Sequence, residues 1–252
     1  MFMSVLDNSL TAARYEDLAG ARVALTGLSV SCGVDVARAF ADHKARLVLQ
    51  TAAPAVDPEI TAVVTLLAES ATEITLFDTP LTSNASAQKF AQADGQVYGG
   101  IDALINLVPV SAADLSEIAR QSDIETAIAH KLETAMTLTR IAANRMRVML
   151  TEGLILNVLV IDTPVSGHSA LIAGMMRATL AAMTRIEAEK WAGNGIRINA
   201  IGPRVALPGE KSPSIPASEP EIAAVALYLA SSRARGLSGH VFQAEGVLTR
   251  CE

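Results

Sequence analysis

The stretch from residue 22 to residue 33, RVALTGLSVSCG, carries the clearest chemical signal in the chain. It starts as an apolar run typical of a buried strand, and apolar side chains at helical spacing follow it. Gly27, Ser29, Ser31 and Gly33 lie between the two elements. Such a turn can bring backbone N–H groups to a phosphate at the positive end of a helix. The stretch therefore predicts the phosphate turn of a dinucleotide-binding βαβ unit, with an ordinary strand-to-helix turn as the alternative.

The composition excludes several other classes of protein. The chain has 252 residues, of which 50% are hydrophobic, and a net charge of −6. It is therefore long enough for one large core, and its charge favours neither nucleic acid nor an anionic membrane as a partner. The only cysteines, Cys32 and Cys251, suggest no disulfide framework and no metal site. No signal peptide or membrane span is evident, so we expect a cytoplasmic protein.

Strands and helices alternate along most of the chain. This order predicts an α/β fold of the Rossmann type, a doubly wound parallel sheet with helices on both faces in a single domain. Residues 1–19 are predicted to be an N-terminal extension with about one helical turn near its end, and residues 20–252 the domain. Strands are predicted at 22–26, 46–50, 73–77, 103–107, 154–160, 196–201 and 240–243. Helices are predicted at 33–43, 58–69, 82–97, 122–149, 169–191 and 220–231.

Several segments resemble the short-chain dehydrogenase/reductase family over about residues 20–247. The turn is similar to the family's T-G-x-x-x-G-x-G, with Ser31 in place of the middle glycine. IDALIN at 101–106 is similar to the run into the family's N-N-A-G, and GIRINAIGP at 195–203 to the segment that ends in P-G. A C-terminal helix at 221–232 and a Ser-Gly turn complete the match. The resemblance implies the Rossmann fold and an NAD- or NADP-dependent oxidoreductase ancestry.

The resemblance also identifies the places where the family's catalytic residues would stand. Counted without gaps, the asparagine position falls on Lys131, the serine on Val160, the tyrosine on Ala173 and the lysine on Arg177. All four residues are changed. A shift of register does not restore them, since no tyrosine lies near and residues 132–189 contain no lysine. Arg177 can hydrogen-bond a ribose, but its pKa is too high for it to release a proton.

Two residues are candidates for a displaced proton donor. His168 lies between the fifth strand and the helix that follows it, beside Ser166 and Ser169, and is the one group there that titrates near neutral pH. The alternative is a solvated loop histidine before a serine that caps the helix. Lys131 is the second candidate, and a lysine on a helix surface is the alternative.

The positions that would hold the cofactor are eroded in a similar way. Asn106 is retained, but bulky residues and a proline follow it in place of the family's N-A-G. Gln50 stands where an acid would mark NAD or an arginine NADP. Asp78 follows the third strand, where the family often has an acid near the adenine. The P-G after the sixth strand becomes Pro203-Arg204. We therefore expect weak or absent dinucleotide binding, through the four turn residues, Arg177 and these positions.

The sequence leaves three functions open. The first is a catalytically deficient subunit. The second is an active NAD(P)-dependent oxidoreductase with a displaced donor, and the third is a nucleotide sensor without redox chemistry. The helix at 169–191 is apolar on more than one face and must be covered. In the family this helix pairs across subunits, so we expect a homodimer or homotetramer, or a complex with an active homologous subunit.

Overall fold

The computed structural model describes residues 15–53, 57–161, 167–203 and 218–244. Seven parallel strands form one sheet in the order β3-β2-β1-β4-β5-β6-β7. The strands are β1 Arg22–Leu28, β2 Arg46–Thr51, β3 Glu73–Phe77, β4 Ala103–Val110, β5 Gly153–Ile161, β6 Ile196–Pro203 and β7 Val241–Ala244. From β1 the chain adds β2 and β3 on one side and β4 to β7 on the other, which confirms the predicted doubly wound fold.

Helices lie on both faces of this sheet. They are α1 Val34–Asp42, α2 Pro58–Ala68, α3 Asn84–Val97, α4 Ala112–Ile118, α5 Ile124–Val148, α6 Gly167–Trp191 and α7 Glu219–Ala230. Short 3-10 turns at Glu16–Leu18, Ala192–Asn194 and Ser232–Ala234 connect some of them. Capping residues explain where two of the helices begin. Asp57 is the N-cap of α2, and α7 begins with a capping box between Ser218 and Glu221.

The two layers are built by the alternation of side chains along each strand. In β1, Val23 and Leu25 face the layer that contains α1, α2 and α7. Ala24 faces the opposite layer, with α3, α5 and α6. Both faces of the sheet are therefore buried, which explains why its strands are nearly continuous apolar runs.

The structure corrects some of the predicted bounds. A separate helix, α4, follows β4 and was not predicted, and β4 continues through Pro109 to Val110. The helix predicted to begin after a capping serine begins earlier, at Gly167, so that Ser169 lies inside it. At the N-terminal end, Glu16–Leu18 form a 3-10 turn and the rest of the proposed extension lies outside the described residues.

All parallel strands end at the same edge of the sheet, where ligands bind in folds of this kind. This edge carries many of the residues singled out from the sequence. The strand ends bring there Gly27, Gln50, Asp78, Asn106, Val160 and Pro203.

Candidate functional site

The turn after β1 is packed tightly against β4. Gly27 has a φ of +79°, and a Cβ on it would lie 2.5 Å from the carbonyl oxygen of Leu107. Gly33 has a φ of +93°, and a Cβ there would collide with Cδ1 of Leu107. Both glycines are thus required by backbone conformation and by contact with Leu107, whose side chain fills the space beneath the turn.

Several polar groups of the turn form hydrogen bonds with one another. The amide of Ser29 donates to the carbonyl of Cys32 at 2.9 Å, and the amide of Cys32 donates back at 3.3 Å. The hydroxyls of Ser29 and Ser31 are 3.3 Å apart. Ser31, in the middle-glycine position, is exposed. These amides are therefore paired within the turn and do not point to a common anion.

Gln50 ties the turn to its neighbours. Its side chain is 3% exposed. The amide of Gly27 donates to its Oε1 at 3.0 Å, and its Nε2 donates to the carbonyl of Thr79 at 2.9 Å. The residue at the position that distinguishes NAD from NADP in the family thus joins the ends of β1, β2 and β3, a role that the sequence analysis missed.

The start of α1 faces a carboxylate from another part of the chain. Glu219, the first residue of α7, lies against the backbone N–H groups of Gly33, Val34 and Asp35. Its Oε1 is buried and has no hydrogen-bond partner among the residues that the structure describes. Burial raises the pKa of Glu219 above its ordinary value, the charge of Asp35 adds to the rise, and the three amides offset only part of it. The anion position at this helix N-terminus is therefore taken by a side chain.

A cavity of about 210 Å³ lies beside the turn. Three of the predicted cofactor residues, Gly27, Gln50 and Asn106, line it. Asp78 is exposed at the end of β3 and is not among its lining residues. The other walls are formed by Thr26, Leu81, Leu107, Val108, Pro109, Lys131, Thr134, Ala135 and Leu138.

Asn106 uses its side chain inside the protein. Its Oδ1 accepts from Thr26 Oγ1 at 3.0 Å, and its Nδ2 donates to Asn157 Oδ1 at 2.8 Å. Thr139 of α5 donates to the same Asn157 oxygen at 3.2 Å. The retained asparagine therefore links β1, β4, β5 and α5, and few of its hydrogen-bonding groups are left for a ligand.

The residues predicted at the family's serine and tyrosine positions have packed apolar side chains. Ala173 is 0% exposed and belongs to a hydrophobic cluster with Leu115 of α4 and Met176 of α6. Val160 packs against the cluster on the opposite face of the sheet. The two residues consequently lie in different hydrophobic clusters rather than around one polar site.

Lys131 is held by α4. Its Nζ lies 3.0 Å from Asp114 Oδ1, and Asp114 also forms the capping box of α4 with Ser111. Burial acts to raise the pKa of Asp114, but hydrogen bonds from Ser111 and Lys131 outweigh it and hold this pKa below its ordinary value. Lys131 lines the 210 Å³ cavity and two neighbouring clefts, and it is the one charged side chain among the described residues that line that cavity.

Arg177 and His168 differ in their surroundings. Arg177 is half-buried, its chain lies beside Gly202 of β6, and its Nε is buried with no hydrogen-bond partner. His168 is exposed in the first turn of α6. Ser166, its proposed neighbour, lies outside the described residues.

Pro203, a further predicted cofactor residue, ends β6 opposite Ala244 of β7, as expected for its position at the sheet edge.

The described residues leave only a small cavity beside the turn. Ligand pockets usually span about 300–1,000 Å³, more than this cavity offers, and Glu219 occupies the position at α1 where a diphosphate would lie. The Nε of Arg177, which is buried without a hydrogen-bond partner among the described residues, is a donor that a ribose oxygen would satisfy. Among the residues that the structure describes, none of the helices is long and apolar enough to cross a membrane, and no cluster of side chains suits a metal ion.

Comparison with known proteins places the chain in a family. A sequence model described as enoyl-(acyl carrier protein) reductase matches residues 27–208, well over half of the chain. Galactitol 2-dehydrogenase (L-tagatose-forming) of Cereibacter sphaeroides is 25% identical over 251 residues, which cover 92% of this chain and 96% of that protein.

Solved structures share the fold. An NADH-dependent reductase, A1-R′, solved with NAD, matches with a TM-score of 0.71 and 20% identity over 92% of this chain and 98% of its own. A putative short-chain alcohol dehydrogenase of Sinorhizobium meliloti 1021 matches with a TM-score of 0.71 and 23% identity over 92% and 97%. Together with the match over residues 27–208, the parallel sheet and the glycine turn establish that the chain belongs to the short-chain dehydrogenase/reductase family.

Proposed function

We propose that the chain is a catalytically deficient member of the family that acts as a non-catalytic subunit and binds dinucleotide weakly or not at all. The observation that carries this proposal is the state of Ala173. Its methyl group, at the position predicted for the family's proton donor, is 0% exposed and lies in the same apolar cluster as Leu115 and Met176. Reduction of a carbonyl leaves an alkoxide that must take up a proton, and Ala173 has none to give.

The neighbouring residues support the same conclusion. Val160 has no hydroxyl with which to orient a substrate, and the ammonium of Lys131 is engaged by Asp114 at 3.0 Å. The chain's three tyrosines lie elsewhere. The ring of Tyr15 lies beside that of His43, the hydroxyl of Tyr98 is 3.2 Å from Thr75 Oγ1 on β3, and Tyr228 lies on α7.

A non-catalytic subunit needs a partner subunit with which it assembles, and α6 offers a surface for one. The surface of α6 exposes an apolar stripe in which Leu171 is 56% and Ile186 is 63% exposed, with Ala178 and Ala182 between them. Side chains this small and apolar permit close approach of another helix. We infer that a second copy of this chain, or a homologous active subunit, covers the stripe. The acidic composition and scarcity of cysteine fit the cytoplasm.

The test is an assay of the full chain with NADH, NADPH and their oxidised forms against a panel of ketones, sugars and alditols that includes galactitol and L-tagatose. The Cereibacter sphaeroides galactitol 2-dehydrogenase serves as the positive control. We expect no turnover by this chain under conditions in which the control is active. Turnover of any of these substrates would overturn the proposal.

An active oxidoreductase is the second candidate, because the curated relative that is 25% identical is named as a dehydrogenase. It would need a displaced donor, for which His168 and Lys131 are the candidates. Turnover that is lost in either His168→Ala or Lys131→Met would establish it. Binding of cofactor without turnover would instead favour the nucleotide sensor.

A further inference from the structure

We propose that Glu219 is an internal substitute for the diphosphate: its carboxylate occupies the anion position at the start of α1 and excludes dinucleotides from the turn. The inference deepens the proposed function, because it gives the reason for weak cofactor binding. It concerns binding alone and does not depend on whether any catalysis occurs.

The packing of α7 along α1 brings the carboxylate to this position. Glu219 begins α7, which packs along α1 through Ile222, Ala223 and Ala226. This packing brings its side chain against the N–H groups of Gly33, Val34 and Asp35, which have no earlier helical carbonyl to bond. A helix N-terminus attracts whichever negative group can reach it. Here the chain supplies that group itself.

The substitute is not ideally held. Oε1 of Glu219 is buried without a hydrogen-bond partner, and Asp35 places a second negative charge nearby. A buried carboxylate with incomplete hydrogen bonds is destabilised in its charged form. The contact is therefore maintained by the packing of α7 and not by strong bonds of the carboxylate, so removing the charge should leave the fold intact.

Three other amides of the turn already have hydrogen-bond partners within the protein. The amide of Gly27 is bonded to Gln50, and those of Ser29 and Cys32 are bonded within the turn. An incoming diphosphate would therefore have to compete with Glu219 for the start of α1, against the charges of both Glu219 and Asp35. Loss of the Glu219 charge should have the largest effect on ligands that carry a diphosphate.

Isothermal titration of the full chain with NAD⁺, ADP and adenosine tests this inference. We expect Glu219→Gln to bind NAD⁺ and ADP at least about tenfold more tightly than the wild type, with no change for adenosine. Glu221→Gln is the matched control. It removes the same charge two residues away, and glutamine can keep the capping box with Ser218. This control should bind like the wild type.

Equal affinities of wild type and Glu219→Gln for NAD⁺ would overturn the inference, as would a gain for adenosine that matches the gain for ADP. Glu219→Ala repeats the comparison with a smaller side chain, and failure of both variants to fold would contradict a role confined to the anion position. Turnover by the wild type would overturn the proposed function but not the Glu219 comparison. Unchanged affinity in a protein without turnover would overturn the inference alone.

Discussion

The conformation of Gly33 makes this single residue a sensitive probe of the turn. Its φ of +93° and the position of Cδ1 of Leu107 leave no room for a Cβ. We expect Gly33→Ala to lower the free energy of unfolding by about 1–3 kcal/mol, measured by urea denaturation. Gly236→Ala is the control, because nothing lies within 4 Å of a Cβ at that position. Equal losses in the two variants would contradict the packing described for the turn.

Glu219 should make stability depend on pH. Its folded pKa lies above the ordinary value of 4.5, through burial first and Asp35 second, and Asp35 is the charged group that acts on it among the described residues. A raised pKa stabilises the fold fully below the unfolded pKa, and this contribution is lost as pH rises through the folded value. The ionised side chain therefore destabilises the protein at pH 7.

We accordingly expect Glu219→Gln to raise the melting temperature at pH 7, and this gain to shrink to nothing as the pH falls below about 4.5. Thermal unfolding followed by circular dichroism from pH 4 to pH 8 measures the difference, with Glu221→Gln as the charge-matched control. A gain that is the same at every pH would show that the carboxyl titrates as it does in the unfolded chain.

Gln50 illustrates the limit of residue-level prediction. The sequence identified its position and the absence of an acidic or basic marker there. Its actual partners, the amide of Gly27 and the carbonyl of Thr79, lie 23 and 29 residues away along the chain. A glutamine side chain carries both a donor and an acceptor, so residue type alone does not distinguish a ligand contact from an internal bridge.

At the scale of elements, packing against α6 limits the side chains that position 173 can hold. Ala173 is 0% exposed between Leu115 and Met176. We expect Ala173→Tyr to destabilise the protein by about 3 kcal/mol or more, because the ring overpacks the cluster, and to give no turnover even with Arg177→Lys.

His168→Tyr is the control for that substitution, since it adds a ring at an exposed position in the first turn of the same helix. It should leave the urea midpoint nearly unchanged. An Ala173→Tyr variant as stable as the control would show that the position is open and would weaken the case for a packed, inert site.

The helix α4 shows why some elements escape sequence analysis. It has only seven residues, Ala112–Ile118, too few for a periodic pattern to stand out. Its importance comes from contacts: Leu115 fills the cluster around Ala173, and Asp114 reaches Lys131 on α5. The pairing that fixes Lys131 thus depends on an element whose existence was not predicted.

At the scale of the whole molecule, the exposed stripe on α6 sets the expected assembly. We expect a dimer or tetramer by light scattering coupled to size exclusion, since Leu171 and Ile186 are both more than half exposed in the single chain. Ile186→Glu places a charge in the stripe and should shift the protein toward monomer. Leu66→Glu, which charges an exposed apolar residue on α2, should leave the assembly unchanged. A wild-type monomer would contradict the proposed subunit role.

The sequence by itself determined the fold and the location of the candidate site. Alternating apolar runs and helical patterns predicted all seven strands, and the glycines at 27 and 33 marked the turn. These features are local: strand and helix periodicity, turn glycines and family-like motifs are all written in neighbouring residues. The assignment of Lys131, Val160, Ala173 and Arg177 to the family's catalytic positions also came from spacing alone, and it stays a prediction.

Only the tertiary structure decided what fills that site. Glu219 faces Gly33 from 186 positions further along the chain, and Leu107 fills the space under the turn from β4. The hydrogen bonds of Gln50 and Asn106 likewise join strands distant in sequence. Each of these contacts depends on how α7 and the strands pack in three dimensions, and side-chain packing between distant segments leaves no periodic trace in the sequence.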